Sequence, residues 1–114
     1  MKILITGSRT WTDKKIILKA LSKQLDILYI IHGGARGADS LAGEAARELK
    51  LDVKVYPAEW NKYGKRAGYL RNKQMLDTEK PDLVLAFHKD SSRGTQHTIN
   101  LARERGIPVE IFTE

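Results

Sequence analysis

Apolar runs of strand length alternate along this chain with segments of helical period. Lys2–Thr6 predicts a first strand. Thr12 is placed to cap a helix over Asp13–Leu25, whose Ile17, Ala20, Leu21 and Leu25 share one face. Ile27–His32 is almost unbroken in its apolar character, the pattern of a strand buried on both faces. Gly33-Gly34-Ala35-Arg36-Gly37 ends it, and a helix follows over about Asp39–Leu49 with Leu41, Ala42, Ala45, Ala46 and Leu49 inward. Val53–Tyr56 predicts a third strand. Pro57–Lys65 reads as a loop, and Ala67–Asp77 as the next helix. Pro81 marks the turn into a fourth strand, Leu83–Phe87. A polar loop, His88–Gly94, leads to a helix over Thr95–Arg105, which Gly106 is suited to stop in the left-handed conformation. Val109–Phe112 predicts a short last strand.

Strands alternating with helices in this way predict an α/β fold. It is a single Rossmann-like three-layer domain over residues 1–114, with a five-stranded parallel sheet and right-handed crossovers. The expected strand order is 3-2-1-4-5. Chain direction around the sheet then reverses between strands one and four, and ligands of such sheets bind at the carboxyl ends of the strands near that point.

Composition adds a few constraints. The 114 residues suit one domain and are enough for a continuous core. The chain has no cysteine, which excludes disulfides and thiolate metal sites and fits a reducing compartment. The apolar stretch at Ile3–Ile5 is too short for a signal peptide or a membrane span, so a cytoplasmic protein without a membrane partner is expected. A formal net charge of +6 favours anionic partners in general. Many lysines, among them Lys14, Lys15, Lys19 and Lys23, read as a solvated surface. Lys65, Arg66, Arg71 and Arg93 instead lie in or beside loops at the predicted site.

Three loops leave strand ends that the topology brings together. They are Gly7-Ser8-Arg9-Thr10-Trp11, Gly33-Gly34-Ala35-Arg36-Gly37-Ala38-Asp39 and Ser91-Ser92-Arg93-Gly94-Thr95. Each combines glycine, a hydroxyl or both with an arginine. Glycine admits close backbone approach, amides at a helix start point at an anion, and arginine offers phosphate a planar fork. The second loop is neither a Walker A motif, lacking Gly-Lys-Ser/Thr, nor the dinucleotide fingerprint, since its spacing and its place after strand two are wrong.

Gly7-Ser8-Arg9, the loop Gly33–Asp39, Trp60-Asn61-Lys62-Tyr63-Gly64 with Ala67-Gly68 and Arg71-Asn72, and Arg93-Gly94-Thr95 together resemble the YspA-like, cpYpsA-related branch of the SLOG superfamily. The resemblance runs in order over essentially the whole chain. It implies kinship with the lonely-guy phosphoribohydrolases and with the Rossmann domain of DNA-processing protein A. It also implies a nucleotide or NAD-derived ligand. Lonely-guy enzymes carry Pro-Gly-Gly-x-Gly-Thr-x-x-Glu with a catalytic glutamate. The matching stretch here keeps Gly94-Thr95 but has Thr98 at the glutamate position. A hydroxyl supplies no carboxylate, so hydrolysis by that mechanism is not expected.

The ligand-binding set is therefore Gly7, Ser8, Arg9, Gly33, Gly34, Arg36, Gly37, Asp39, Arg71, Asn72, Ser92, Arg93, Gly94 and Thr95. Asp39 reads either as a carboxylate for ribose hydroxyls or water activation, the better catalytic candidate of the two loop carboxylates Asp39 and Asp90, or as a helix-start residue bonding free amides. Trp60 and Tyr63 read as base-stacking residues or as interface and core packing, and a homo-oligomer is expected in part from them. His88 ends the fourth strand and is a second acid/base candidate, while His32 at a strand end reads as structural. The three histidines lack metal-site spacing, and no cofactor or metal is expected.

Three functions remain, in this order. The first is a sensor or binding domain for a phosphate-bearing nucleotide, or for an ADP-ribose- or NAD-like derivative, at the carboxyl edge of the sheet. The second is a nucleotide N-glycosidic hydrolase of phosphoribohydrolase type using a relocated carboxylate. The third is a nucleic-acid-binding protein of the DNA-processing type. It is favoured by charge, but the linear sequence shows no long basic stripe interleaved with aromatics.

Overall fold

Strand pairing begins at the first residues of the chain. In a computed structural model describing residues Met1–Glu114, β1 (Lys2–Gly7) lies at the centre of a five-stranded, wholly parallel sheet of order β3-β2-β1-β4-β5. β2 spans Tyr29–His32, β3 Val53–Val55, β4 Leu83–Phe87 and β5 Val109–Phe112. β1 and β4 are buried almost throughout, as expected of strands covered by helices on both faces. The fold class and strand order are those the apolar pattern predicts. No helix is long and apolar enough to cross a membrane.

The helices are α1 (Lys14–Ser22), α2 (Ala38–Glu48), α3 (Trp60–Tyr63), α4 (Ala67–Glu79) and α5 (Arg93–Glu104). α1 and α2 cover one face of the sheet. Ile17, Leu21, Ala42 and Ala45 pack there on Ile3, Ile5 and Phe87. α4 and α5 cover the other face, where Met75, Leu76 and Ala102 meet Leu4, Ile31 and Val84. Trp11 belongs to the first core. It is buried edge-on against Phe87 with ring centroids 5.4 Å apart, and its indole N–H donates to Asp13 O at 2.8 Å. The indole of the β1 loop thus anchors that loop to the core.

Several element boundaries differ from the periodicity. Asp13, not Thr12, caps α1, its carboxylate accepting the Lys15 and Ile16 amides. α1 stops at Ser22, so Leu25, in phase with the inward face, is left exposed beyond the helix end. β2 starts at Tyr29 because its partner starts at Lys2, and Ile27-Leu28 is only an approach to the sheet. α4 runs two residues past Asp77 and ends with Lys80 in the left-handed conformation before Pro81. α5 begins at Arg93 rather than Thr95, because Ser92 provides an N-cap that accepts the Thr95 amide. Pro57–Lys65 is not wholly a loop, since it holds α3, followed by a 3-10 turn over Gly64–Arg66. Gly106 has φ +70° directly after the residue closing α5, the left-handed stop expected there.

Candidate functional site

The carboxyl ends of β1 and β4 lie side by side, with Gly7 paired to Phe87. The loops that follow separate, and a cleft of about 390 Å³ opens between them. This is the switch point of the sheet, where the chain leaves β1 for β2 on one side and β4 for β5 on the other. The β1 loop forms the floor, and the starts of α4 and α5 form the walls. A second, more open cleft adjoins it along Gly33–Arg36 and Pro57–Ala58. Arg9, Ala35, Trp60 and Arg71 line both.

The expected site residues fall into three groups. Gly7, Ser8, Arg9, Asp39, Arg71, Asn72, Ser92, Gly94 and Thr95 line the first cleft. Gly33, Gly34 and Arg36 line the second, with Arg9 and Arg71. Gly37 and Arg93 line neither. Asp90, the other loop carboxylate, also lines the first cleft, as do Thr10, Tyr69 and Lys89, which were not singled out in the sequence. Lys89 and Asp90 were legible, since they follow β4 directly at its carboxyl end. Tyr69 was not, because its position depends on where α4 begins.

The β1 and β4 loops are clasped by one hydroxyl. Ser8 Oγ donates to Lys89 O and accepts from the Lys89 amide, each at 2.7 Å, and Ser8 is buried. Thr10 Oγ1 donates to Asp90 Oδ2 at 2.8 Å across the same gap. Asp90 and Ser91 both have positive φ, 56° and 50°. Two successive non-glycine residues in that region store backbone strain, of order 1 kcal/mol or more each. The strain lies at the lip of the cleft, where it turns the chain sharply into α5.

The two glycine loops differ in what their amides do. Asp39, in the first turn of α2, folds its carboxylate back onto the loop that precedes it. Its Oδ2 accepts the Gly33 amide at 3.1 Å and the Ala35 amide at 3.3 Å. The Gly34 amide donates to His32 Nδ1 at 2.9 Å. The Gly33–Ala35 amides therefore have acceptors inside the protein, one of them anionic. At α5 the arrangement is the reverse. Ser92 Oγ accepts from Thr95 through its amide and its hydroxyl, but the Arg93 and Gly94 amides have no acceptor in the protein. A Cβ built on Gly94 meets nothing within 4 Å, so no packing in the protein calls for glycine there.

All three glycines of the β2 loop are constrained by geometry, Gly34 by a φ of +72° with Val55 Cγ1 2.9 Å from where a Cβ would stand. Gly37 has φ +73°, and a Cβ there would strike Ser8 O at 2.5 Å. A Cβ on Gly33 would lie 2.6 Å from Arg71 Cζ, inside the guanidinium. Arg71 uses that space. Its Nη1 donates to Gly33 O at 2.6 Å and its Nε to Asn72 Oδ1 at 2.9 Å. The buried Asn72 in turn reaches Gly94 O at 3.5 Å and His97 Nδ1 at 3.4 Å. Arg71 and Asn72 thus tie the β2 loop to the start of α5 across the cleft wall.

Electrostatics favour an anion. Arg9, Lys65, Arg71 and Lys89 line the first cleft against Asp39 and Asp90. Burial pushes Asp39 up to about 6, and its two amide donors and the nearby Arg71 only partly oppose this. Burial lowers the His32 pKa, and Arg71 lowers it further, which suits a neutral ring whose Nδ1 accepts from Gly34. Lys89 is held by Glu114 at 2.5 Å. Arg9 has no ion-pair partner and lies 5.7 Å from the Trp60 ring centre. No three His, Asp or Glu side chains converge as a metal site would require. Thr98 is fully buried, and its hydroxyl donates to Gly94 O at 3.3 Å instead of facing the cleft.

Comparison with known proteins adds two findings. The family model described as "YspA, cpYpsA-related SLOG family" matches residues 1–63. A relative named Gene 61 protein, from Mycobacterium phage D29, is 38% identical over 120 residues, covering 97% of this chain and 95% of the relative. No solved structure matches the chain.

Proposed function

This chain belongs to the YspA, cpYpsA-related SLOG family, and from that membership and the form of its cleft we propose that it binds a phosphate-bearing nucleotide or nucleotide-derived ligand, of ADP-ribose or NAD type, as a sensor or binding domain. The observation that carries the reading is the start of α5. The Arg93 and Gly94 amides are unpaired, a Cβ on Gly94 would meet nothing within 4 Å, and Gly94 lines the cleft together with Lys89, Arg9 and Lys65. An oxyanion there meets free N–H groups, the positive end of a helix dipole and cationic side chains together. A cleft of about 390 Å³ has the size of a small-molecule site. Trp60, half exposed at its mouth, offers a flat apolar face for a base.

The test is mass spectrometry of small molecules released from denatured protein, followed by calorimetric titration with the candidates found. Arg9→Ala is expected to weaken binding by about 1.5–3 kcal/mol, the range of hydrogen bonds to charged groups. Surface changes such as Lys19→Ala are expected to leave it unchanged. Equal effects of both substitutions would refute a local anion site.

A second reading rests on Asp39. A carboxyl group raised to about 6 inside a cleft has the acidity that general acid–base chemistry uses near neutral pH. In that reading the protein hydrolyses the N-glycosidic bond of a nucleotide, with Asp39 standing in for the glutamate that Thr98 replaces. Release of free base that is abolished in Asp39→Asn and retained in Thr98→Ala would establish it.

A further inference from the structure

The segment Trp60–Tyr69, which forms one wall of the cleft mouth, carries more exposed cationic and aromatic surface than a single nucleotide engages. Trp60, Lys62, Tyr63, Lys65, Arg66 and Tyr69 alternate along it, all exposed, and neither α3 nor the 3-10 turn after it buries any residue. None of its three cations enters an ion pair, so each is free to meet a phosphate, as are most of the chain's twenty lysines and arginines. Trp60 is nonetheless held in place. Its Cη2 lies over Gly68, 3.3 Å from where a Cβ would stand, and the Arg9 guanidinium approaches its ring. Trp60 and Tyr63 are three apart on one helical turn, a spacing that places both on one side of α3. Lys62 Nζ sits 5.1 Å from the Tyr63 ring centre.

We propose that the nucleotide of this site belongs to a single-stranded nucleic acid, whose backbone and bases run from the cleft across Trp60–Tyr69. The inference rests on the nucleotide-binding reading of the cleft and extends it to a polymer. Charge complementarity selects this occupant. A strand supplies a phosphate for each unpaired cation and a base for each exposed ring, the pairing of groups that single-strand binders use. A second copy of the chain, docked here about a twofold axis, would set Lys62, Lys65 and Arg66 against their own equivalents, with Glu59 the only carboxylate next to the segment in the chain. The basic and aromatic residues are too few for the linear sequence to read as a stripe. Folding onto the cleft mouth makes them continuous with Arg9 and Lys65 of the site.

The experiment compares binding of an oligothymidylate and an oligouridylate, each of about ten nucleotides, with that of thymidine and uridine monophosphate. Anisotropy and calorimetry read the affinities, and salt is varied for each. Trp60 emission is a direct reporter, because Trp11 is buried and Trp60→Phe removes the signal while keeping an aromatic face. The oligomer is expected to bind at least tenfold tighter than the monophosphate and to quench Trp60. Lys62 and Arg66 do not line the cleft. In Lys62→Ala/Arg66→Ala the salt slope for the oligomer is expected to shrink by about 1.4, at roughly 0.7 per phosphate contact, with monophosphate affinity unchanged. Trp60→Ala is expected to weaken the oligomer by about tenfold or more, and Trp60→Phe by much less. Monophosphate binding with no gain for the oligomer would overturn the inference and leave the nucleotide site standing. Oligomer binding without monophosphate binding would uphold the strand and overturn the free-nucleotide reading. Binding of neither would overturn both.

Discussion

Replacing Asp39 by asparagine is expected to change the pH dependence of stability more than any other single substitution at the site. Burial raises the Asp39 carboxyl from an ordinary value of 3.8 to about 6. Between those values the folded protein keeps a proton that the unfolded chain has released. Stability therefore falls as pH rises through this window. The fall is about 1.4 kcal/mol per pH unit, or about 3 kcal/mol in all, absent below about pH 4 and fully present above about pH 6. The asparagine side chain keeps an acceptor oxygen for the Gly33 and Ala35 amides and carries no charge to desolvate. The assay is urea unfolding of both proteins from about pH 4 to about pH 8, taking the difference in unfolding free energy at each pH. Subtraction removes the groups common to both, including His32 and His97, whose lowered values give the opposite slope. The variant is expected to gain on the wild type as pH rises to about 6 and to hold a constant margin beyond. A difference that is flat, or that grows as pH falls, would mean that Arg71, Arg9 and the two amides outweigh desolvation, and the reasoning would be refuted.

Three further outcomes follow from the geometry. Gly94→Ala places a methyl group in open space near the start of α5, so stability should stay level or rise by up to about 1 kcal/mol, while calorimetry should show weaker ligand binding because Gly94 lines the proposed ligand cleft. Gly33→Ala puts a Cβ into the Arg71 guanidinium, and thermal unfolding should register a loss of about 1–3 kcal/mol, where an unchanged midpoint would show that Arg71 moves freely. Chromatography over hours should detect little or no free base from ordinary nucleoside monophosphates, and Thr98→Ala should behave alike, because Thr98 is buried away from the cleft.

Much of the fold was legible because burial on both faces writes itself into a parallel strand. Ile3–Ile5 and Leu83–Phe87 are apolar without alternation, and α1 and α2 show a clear inward stripe. The misplacements have local causes that periodicity does not carry: side-chain caps set the starts of α1 and α5, and strand pairing sets the start of β2. Leu25 is in phase with α1 but lies past its last turn, and Ile27 is as apolar as β2 but faces no residue of β1. α3 was hidden for a different reason. It buries nothing, so it leaves no periodic trace in the sequence.

The site was legible as a place more than as a set of contacts. Glycine, hydroxyl and arginine after three strand ends point to the carboxyl edge, and two adjoining clefts lie there. Which loop has amides free to receive an anion depends on side chains that fold back, and composition is silent on that. Both loops end at a helix start, and both contain glycine and arginine. In the β2 loop the side chain that folds back is a carboxylate, and Asp39 already occupies the position an anion would take. In the β4 loop it is the hydroxyl of Ser92, which accepts from Thr95 alone and leaves two amides unpaired. A carboxylate satisfies and neutralises the cradle it sits in, whereas a hydroxyl caps a helix without adding charge. The same reasoning explains the contrast between the glycines. Gly33 is needed for Arg71 and Gly37 for the Ser8 carbonyl, both internal demands. Gly94 answers to no packing demand inside the protein, and under the proposed function its bare backbone faces the ligand.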